Sequence, residues 1–138
     1  MTEKKPYGKL IGASLGPGDP ELITRRSWAV LQSGARWIYP VKKAEEVSYA
    51  LSIVERSGLP IPTDAVELVF PMTRDAELLT KAWVRAAEQT VALLAEGRDL
   101  VFLVEGDAST FATFGHLARV ARELAPEIQV ETIPGVSS

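Results

Sequence analysis

The chain has 138 residues, 46% hydrophobic and 24% charged, a length and composition that suit one compact domain with a real core. Its formal net charge of −3 leaves no broad basic face for nucleic acid or anionic lipid. The absence of cysteine excludes disulfides, thiolate metal sites and cysteine nucleophiles, and a lone histidine, His116, excludes a histidine-rich metal site.

The first six residues carry charge but no apolar stretch follows them, so they do not read as a signal peptide. No apolar run approaches the roughly 20 residues needed to cross a bilayer. Both observations predict a soluble, cytoplasmic protein with no membrane partner.

Residues 9–14 are an apolar run that predicts a short strand. The stretch Leu15-Gly16-Pro17-Gly18-Asp19-Pro20-Glu21-Leu22-Ile23-Thr24 follows it. Two glycines around a proline permit sharp, partly left-handed turns. Asp19 is placed to cap a helix and Pro20 suits its first position, which predicts an amphipathic helix over 21–32 with Gly34 behind it. A strand, a bare backbone loop and a helix start form the usual ligand position in an α/β domain. Taken alone, the segment is equally well read as a well-made turn with no ligand.

A second strand is predicted over 35–39, stopped by Pro40, and a helix over 44–57 with Val47, Leu51 and Val54 at helical spacing and Gly58 at its end. Residues 59–62, with two prolines, form a linker that cannot continue a helix. A third strand over 65–70 closes at Pro71, and a long helix over 75–96 is followed by Gly97. Residues 100–104, Leu-Val-Phe-Leu-Val, are apolar on both faces, as a central parallel strand covered by helices must be. Glu105-Gly106-Asp107-Ala108-Ser109-Thr110 turns into a helix over 111–124, and a last strand over 129–133 leads into Pro134-Gly135-Val136-Ser137-Ser138. Five strands separated by helices predict a three-layer α/β sandwich with a mainly parallel sheet and right-handed crossovers. The tail ends where a glycine turn should open a sixth element, which predicts a truncated polypeptide; a natural loose tail is the alternative.

Three glycine-bearing loops, at Gly16 and Gly18, at Gly106 and at Gly135, all follow strands and so share the carboxyl edge of a parallel sheet. They suit a small ligand held by main-chain hydrogen bonds. No Gly-x-Gly-x-x-Gly stands at a strand end and no Walker lysine follows Gly16 or Gly18, so neither dinucleotide nor triphosphate binding is supported. Asp107 has two compatible roles, accepting hydrogen bonds from a ligand's amine or ribose and capping the next helix with Ser109. Glu105 reads as a surface carboxylate or loop brace, and Asp19 as a cap before a ligand. His116 reads as a packing or surface residue. Trp28, Trp37 and Trp83 read as core residues, and one histidine gives no basis for a Ser/His/Asp arrangement.

Residues 16–24, Tyr39-Pro40, Glu105-Gly106-Asp107 and residues 133–138 together resemble, in order and position, the tetrapyrrole methylases, S-adenosylmethionine-dependent enzymes of corrin and siroheme synthesis. The resemblance runs from about Gly8 to Ser138. Residues 104–111 and Tyr39-Pro40 look most like the precorrin-2 C20-methyltransferases, although Ala108 stands where many relatives carry proline. It implies that this chain is the N-terminal of two α/β domains, with cofactor and tetrapyrrole in the cleft between them and the second domain absent. It further implies that Pro17, Glu105, Gly106, Asp107, Thr110, Ser137 and Ser138 bind S-adenosylmethionine, and that Gly16, Gly18 and Asp19 lie toward the tetrapyrrole. Metal ligands are not implied and no catalytic base is assigned. Relatives are homodimers, so self-association is expected, and the isolated domain is expected to turn over little. Other acceptors (uroporphyrinogen, another precorrin, a diphthamide precursor or ribosomal RNA) and a non-catalytic α/β binding module are the competing readings.

Overall fold

The computed structural model describes residues 7–43, 48–71, 73–106 and 112–136. Five strands alternate with four α-helices: β1 (Leu10–Ser14), α1 (Arg25–Leu31), β2 (Arg36–Val41), α2 (Tyr49–Arg56), β3 (Val66–Val69), α3 (Ala76–Leu94), β4 (Leu100–Val104), α4 (Ala112–Leu124) and β5 (Val130–Ile133). The strands form one sheet in the order β3-β2-β4-β1-β5, and every pairing is parallel. The predicted α/β sandwich is therefore the observed fold.

Alternation along the strands builds the three layers. Leu10, Ile38, Leu68, Leu100, Phe102 and Val104 face α3 and α4, where they pack with Ala86, Leu94, Phe114 and Leu117. Ile11, Ala13, Trp37, Val101 and Leu103 face the other way and pack with Leu31, Ala50, Ile53 and Val54 of α1 and α2. All five residues of β4 are fully buried, as their two-sided apolar pattern requires. Connections that lead toward the β3 edge carry helices on one face, and those that lead toward β5 carry them on the other, which is what right-handed crossovers produce.

Two boundaries differ from the sequence expectation. The helix predicted over 21–32 divides into a single 3-10 turn, Pro20–Leu22, and α1. Asp19 caps only the short turn, its carboxylate accepting from the Glu21 amide at 2.9 Å. Ile23 and Thr24 are then extended, Ile23 packing toward the core, and the Thr24 hydroxyl accepts from the Ser27 amide at 3.2 Å to start a second helix. Two capping residues five positions apart compete, and burying Ile23 favours the second. The other difference is Pro40, which lies inside β2 and does not end it. Pairing with β4 stops at Ile38, so from Pro40 onward β2 has β3 alone as its neighbour and a proline is tolerated.

Residues 44–47 of the second predicted helix lie outside the described residues, and Ser48 caps the part that is described. The long third helix begins where Asp75 predicts, the carboxylate accepting from the Glu77 and Leu78 amides at 3.0 and 3.2 Å. Trp37 is core, its indole donating to the Leu31 carbonyl at 3.2 Å. Trp83 packs between Phe70 and His116, at ring separations of 4.8 and 4.2 Å, which makes His116 a packing residue of the α3–α4 contact. No helix among the described residues is long and apolar enough to cross a membrane.

At the amino edge of the sheet, Arg98 donates to the Gly34 carbonyl at 2.9 Å and to the Asp64 carboxylate at 2.6 Å. The hydrogen bond from Arg98 holds the Asp64 carboxyl below its ordinary value of 3.8. A carboxylate lowered on folding stabilises the fold above its unfolded pKa, and that contribution is lost as pH falls through the folded one. Asp64→Asn should therefore flatten the acid limb of a stability–pH profile below 3.8, measured by urea unfolding.

β1 and α4 meet at a close seam. A Cβ at Gly12 would stand 2.6 Å from the ring of Phe114, which is itself 5.7 Å from the ring of Phe102. Gly12→Ala is expected to destabilise by about 1–3 kcal/mol in urea unfolding, and adding Phe114→Leu should recover part of that loss.

Candidate functional site at the carboxyl edge

β1 and β4 are neighbours, yet their onward helices lie on opposite faces of the sheet. The loops that leave them are bound for opposite faces, the switch-point arrangement at which open α/β sheets place their ligands. The sequence supplies glycine on both sides of it. The Leu15 amide donates to the Val104 carbonyl at 2.8 Å, carrying the β1–β4 ladder one step past the strands. Gly16 and Gly106 then exchange two hydrogen bonds, from the Gly16 amide to the Gly106 carbonyl at 3.1 Å and back at 2.7 Å. Both residues are left-handed, with φ of 77° and 80°, so glycine at both positions makes this clasp unstrained.

The third loop closes on the same point. A Cβ at Gly135 would stand 2.4 Å from the Ser14 Cβ and 3.3 Å from the Gly106 carbonyl oxygen. The fully buried Ser14 donates its hydroxyl to the Ile133 carbonyl, tying the end of β1 to the end of β5. The predicted convergence of Gly16, Gly106 and Gly135 is therefore present. Among the described residues, a Cβ at Gly106 would meet nothing within 4 Å, so nothing described packs over that side of the residue.

The remaining predicted residues are placed as follows. Pro17 and Gly18 are half-buried just beyond the clasp, and Asp19 is exposed with one oxygen engaged as a cap. Glu105 is exposed at the mouth. Asp107, Thr110, Ser137 and Ser138 lie outside the described residues. Two residues of this edge were missed by sequence reasoning. Ser14 had a signal, a hydroxyl closing an apolar strand. Tyr49, whose hydroxyl lies over Gly18, had none.

Tyr39, part of the motif set, packs toward α1 and α2, in register with Glu67 on β3. Burial, and then the Glu67 charge, raises its phenol above 10.0, so it remains protonated at neutral pH and is no base there. Shallow depressions on the outer flanks of α3 and α4, lined by residues such as Thr80, Arg85, Arg119 and Arg122, lie away from the carboxyl ends of the strands. Among the described residues no three His, Cys, Asp or Glu side chains converge as a metal-ligand set.

The sequence model of the tetrapyrrole (corrin/porphyrin) methylases matches residues 9–138, almost the whole chain. The chain belongs to the tetrapyrrole methylase family. It is 36% identical to the cobalt-precorrin-2 C(20)-methyltransferase of Salmonella typhimurium, covering 95% of this chain and 54% of that protein. It is 34% identical to the precorrin-2 C(20)-methyltransferase of a Sinorhizobium species, covering 95% and 55%. The S-adenosyl-L-methionine-dependent uroporphyrinogen III methyltransferase of Methanosarcina barkeri is 27% identical, covering 96% and 46%. Among solved structures, the methyltransferase CobJ aligns with a TM-score of 0.61 at 25% identity, over 95% of this chain and 47% of that one. The chain spans about half the length of the curated relatives it matches.

The two glycine contacts fail for different reasons, which separates their variants. Gly106→Ala should cost about 1–2 kcal/mol from left-handed strain, and Gly106→Asn less, because asparagine tolerates that backbone. At Gly135 the obstacle is the Ser14 Cβ, so alanine and asparagine should both destabilise, as read from urea midpoints.

Proposed function

We propose that this chain forms the N-terminal half of an S-adenosylmethionine-dependent methyltransferase that methylates C20 of precorrin-2 or cobalt-factor II in cobalamin biosynthesis. The observation that carries the reading is the glycine clasp at the switch point, three backbone-walled loops meeting where a small ligand lies in an α/β sheet. The C20 position is supported by the two relatives of that name, at 36% and 34% identity against 27% for the uroporphyrinogen enzyme.

The groups at this edge suit the methyl donor. Its ammonium, sulfonium and ribose call for carbonyls and carboxylates, and the edge offers the exposed Glu105 carboxylate beside Gly106, whose own amide and carbonyl are paired with Gly16. Gly106, Asp107 and Thr110 hold its methionine end in this reading, Pro17 borders it, and Ser137 and Ser138 approach from the β5 loop. Gly16, Gly18 and Asp19 shape the floor toward the tetrapyrrole. A second α/β domain closes the crevice and the active protein is a homodimer.

When bound, S-adenosylmethionine supplies a sulfonium methyl group already activated for transfer. The protein must align the acceptor carbon with that methyl, which can contribute several kcal/mol, up to about 10, and a base, here assigned to no residue, must take the C20 proton that the methyl replaces. The clasp serves that alignment: Gly16 and Gly106 lock two loops to each other, and Gly135 with Ser14 sets the third against them.

The test is methyl transfer by the natural full-length protein, with precorrin-2, cobalt-factor II and uroporphyrinogen III offered separately and the methylated carbon located by NMR. Methylation at C20 is expected, and methylation at another carbon overturns the C20 assignment. Asp107→Asn is expected to raise the KM for S-adenosylmethionine about ten- to a hundred-fold with the methylated position unchanged, the scale of a lost charged hydrogen bond.

A further inference from the structure

Tyr49 opens α2 directly after its capping residue Ser48, whose hydroxyl accepts from the Leu51 amide at 3.2 Å. That cap fixes where the helix starts and so where the phenol leaves it. The phenol reaches the β1 loop: a Cβ at Gly18 would stand 2.5 Å from Tyr49 Oη. Position 18 therefore has no room for a side chain unless the phenol moves. The tyrosine nevertheless remains 48% exposed. Leu22, 39% exposed, stands along the same loop, its Cβ 3.3 Å from where a Cβ on Gly16 would lie.

A half-exposed phenol and a half-exposed leucine thus flank the two glycines of one loop, an apolar rim beside bare backbone. Aromatic surface left in water next to a polar floor fits a ligand with a broad apolar face and polar edges. A tetrapyrrole has that chemistry over its whole macrocycle, whereas the methyl donor has it only at its adenine, and separate KM values for the two substrates tell them apart.

We propose that Tyr49 is a positioning residue for the methyl acceptor, its ring forming one apolar wall of the acceptor's seat beside Gly18. The inference rests on the reading that a tetrapyrrole is the acceptor.

The experiment is steady-state kinetics on the natural full-length protein and its Tyr49→Ala, Tyr49→Leu and Tyr49→Phe variants, with acceptor and S-adenosylmethionine varied separately. Tyr49→Ala is expected to raise the acceptor KM about ten-fold, the scale of one lost aromatic contact, and to leave the KM for S-adenosylmethionine unchanged. Tyr49→Phe keeps the ring and should retain wild-type values. Should Tyr49→Ala lose its circular dichroism spectrum, Tyr49→Leu, which removes the ring and its reach over Gly18 while keeping enough bulk for the fold, decides by the same KM split. An acceptor KM within about two-fold of wild type in the folded Ala or Leu variant overturns the proposal, and so does an equal rise in both KM values. Wild-type protein that methylates no tetrapyrrole overturns the functional reading and this inference with it; methylation with an unmoved acceptor KM overturns the inference alone.

Discussion

The carboxyl edge depends on one pairing, that of β1 with β4. The register Ser14↔Val104 brings the two strands to an end side by side, and only from that start can Gly16 and Gly106 reach each other two residues further on. Their mutual hydrogen bonds convert two loops with opposite destinations into one rigid lip. Gly135 then closes against Ser14, which the same pairing has placed. Shifting the register by one residue would turn every side chain of β1 to the wrong layer and separate the glycines together.

Fold and site are coupled through side-chain parity. Leu10, Gly12 and Ser14 occupy the face of β1 that meets α3 and α4, and each has its own task there. Leu10 is buried core, Gly12 admits the Phe114 ring, and Ser14 binds the end of β5. Toward the carboxyl end, apolar bulk gives way first to no side chain and then to a hydroxyl. The edge is thus polar and backbone-rich without leaving the core underfilled.

Much of this was legible from residues alone, for identifiable reasons. Residues 100–104 are apolar on both faces and match β4 end to end, because only a strand with helices above and below has that pattern. The three glycine loops were legible because a parallel sheet sends them all to one edge. The division of the first helix was not, since Asp19 and Thr24 are both good caps and the choice turns on burying Ile23, a tertiary effect. Pro40 misled because a proline ends a strand only where the strand still has two neighbours, and neighbours are not written in the local sequence. The same holds for Tyr49 and Gly18, which lie about thirty positions apart and meet only because α2 packs against the turn after β1.

The place of β4 between β2 and β1 has a consequence for how the protein comes into being. β1 is made first, yet one of its two neighbours is β4, and the amide of Lys9 is held by the Asp99 carboxylate across a separation of 90 residues. Its other neighbour, β5, lies later still. During synthesis the earliest strand therefore waits with both edges open until most of this domain has emerged, and closing loops of that length is slow. For that interval an apolar five-residue segment offers unpaired amides and carbonyls to any other extended chain. The arrangement that gives the mature molecule its glycine lip also leaves β1 without a partner strand until β4 has been made.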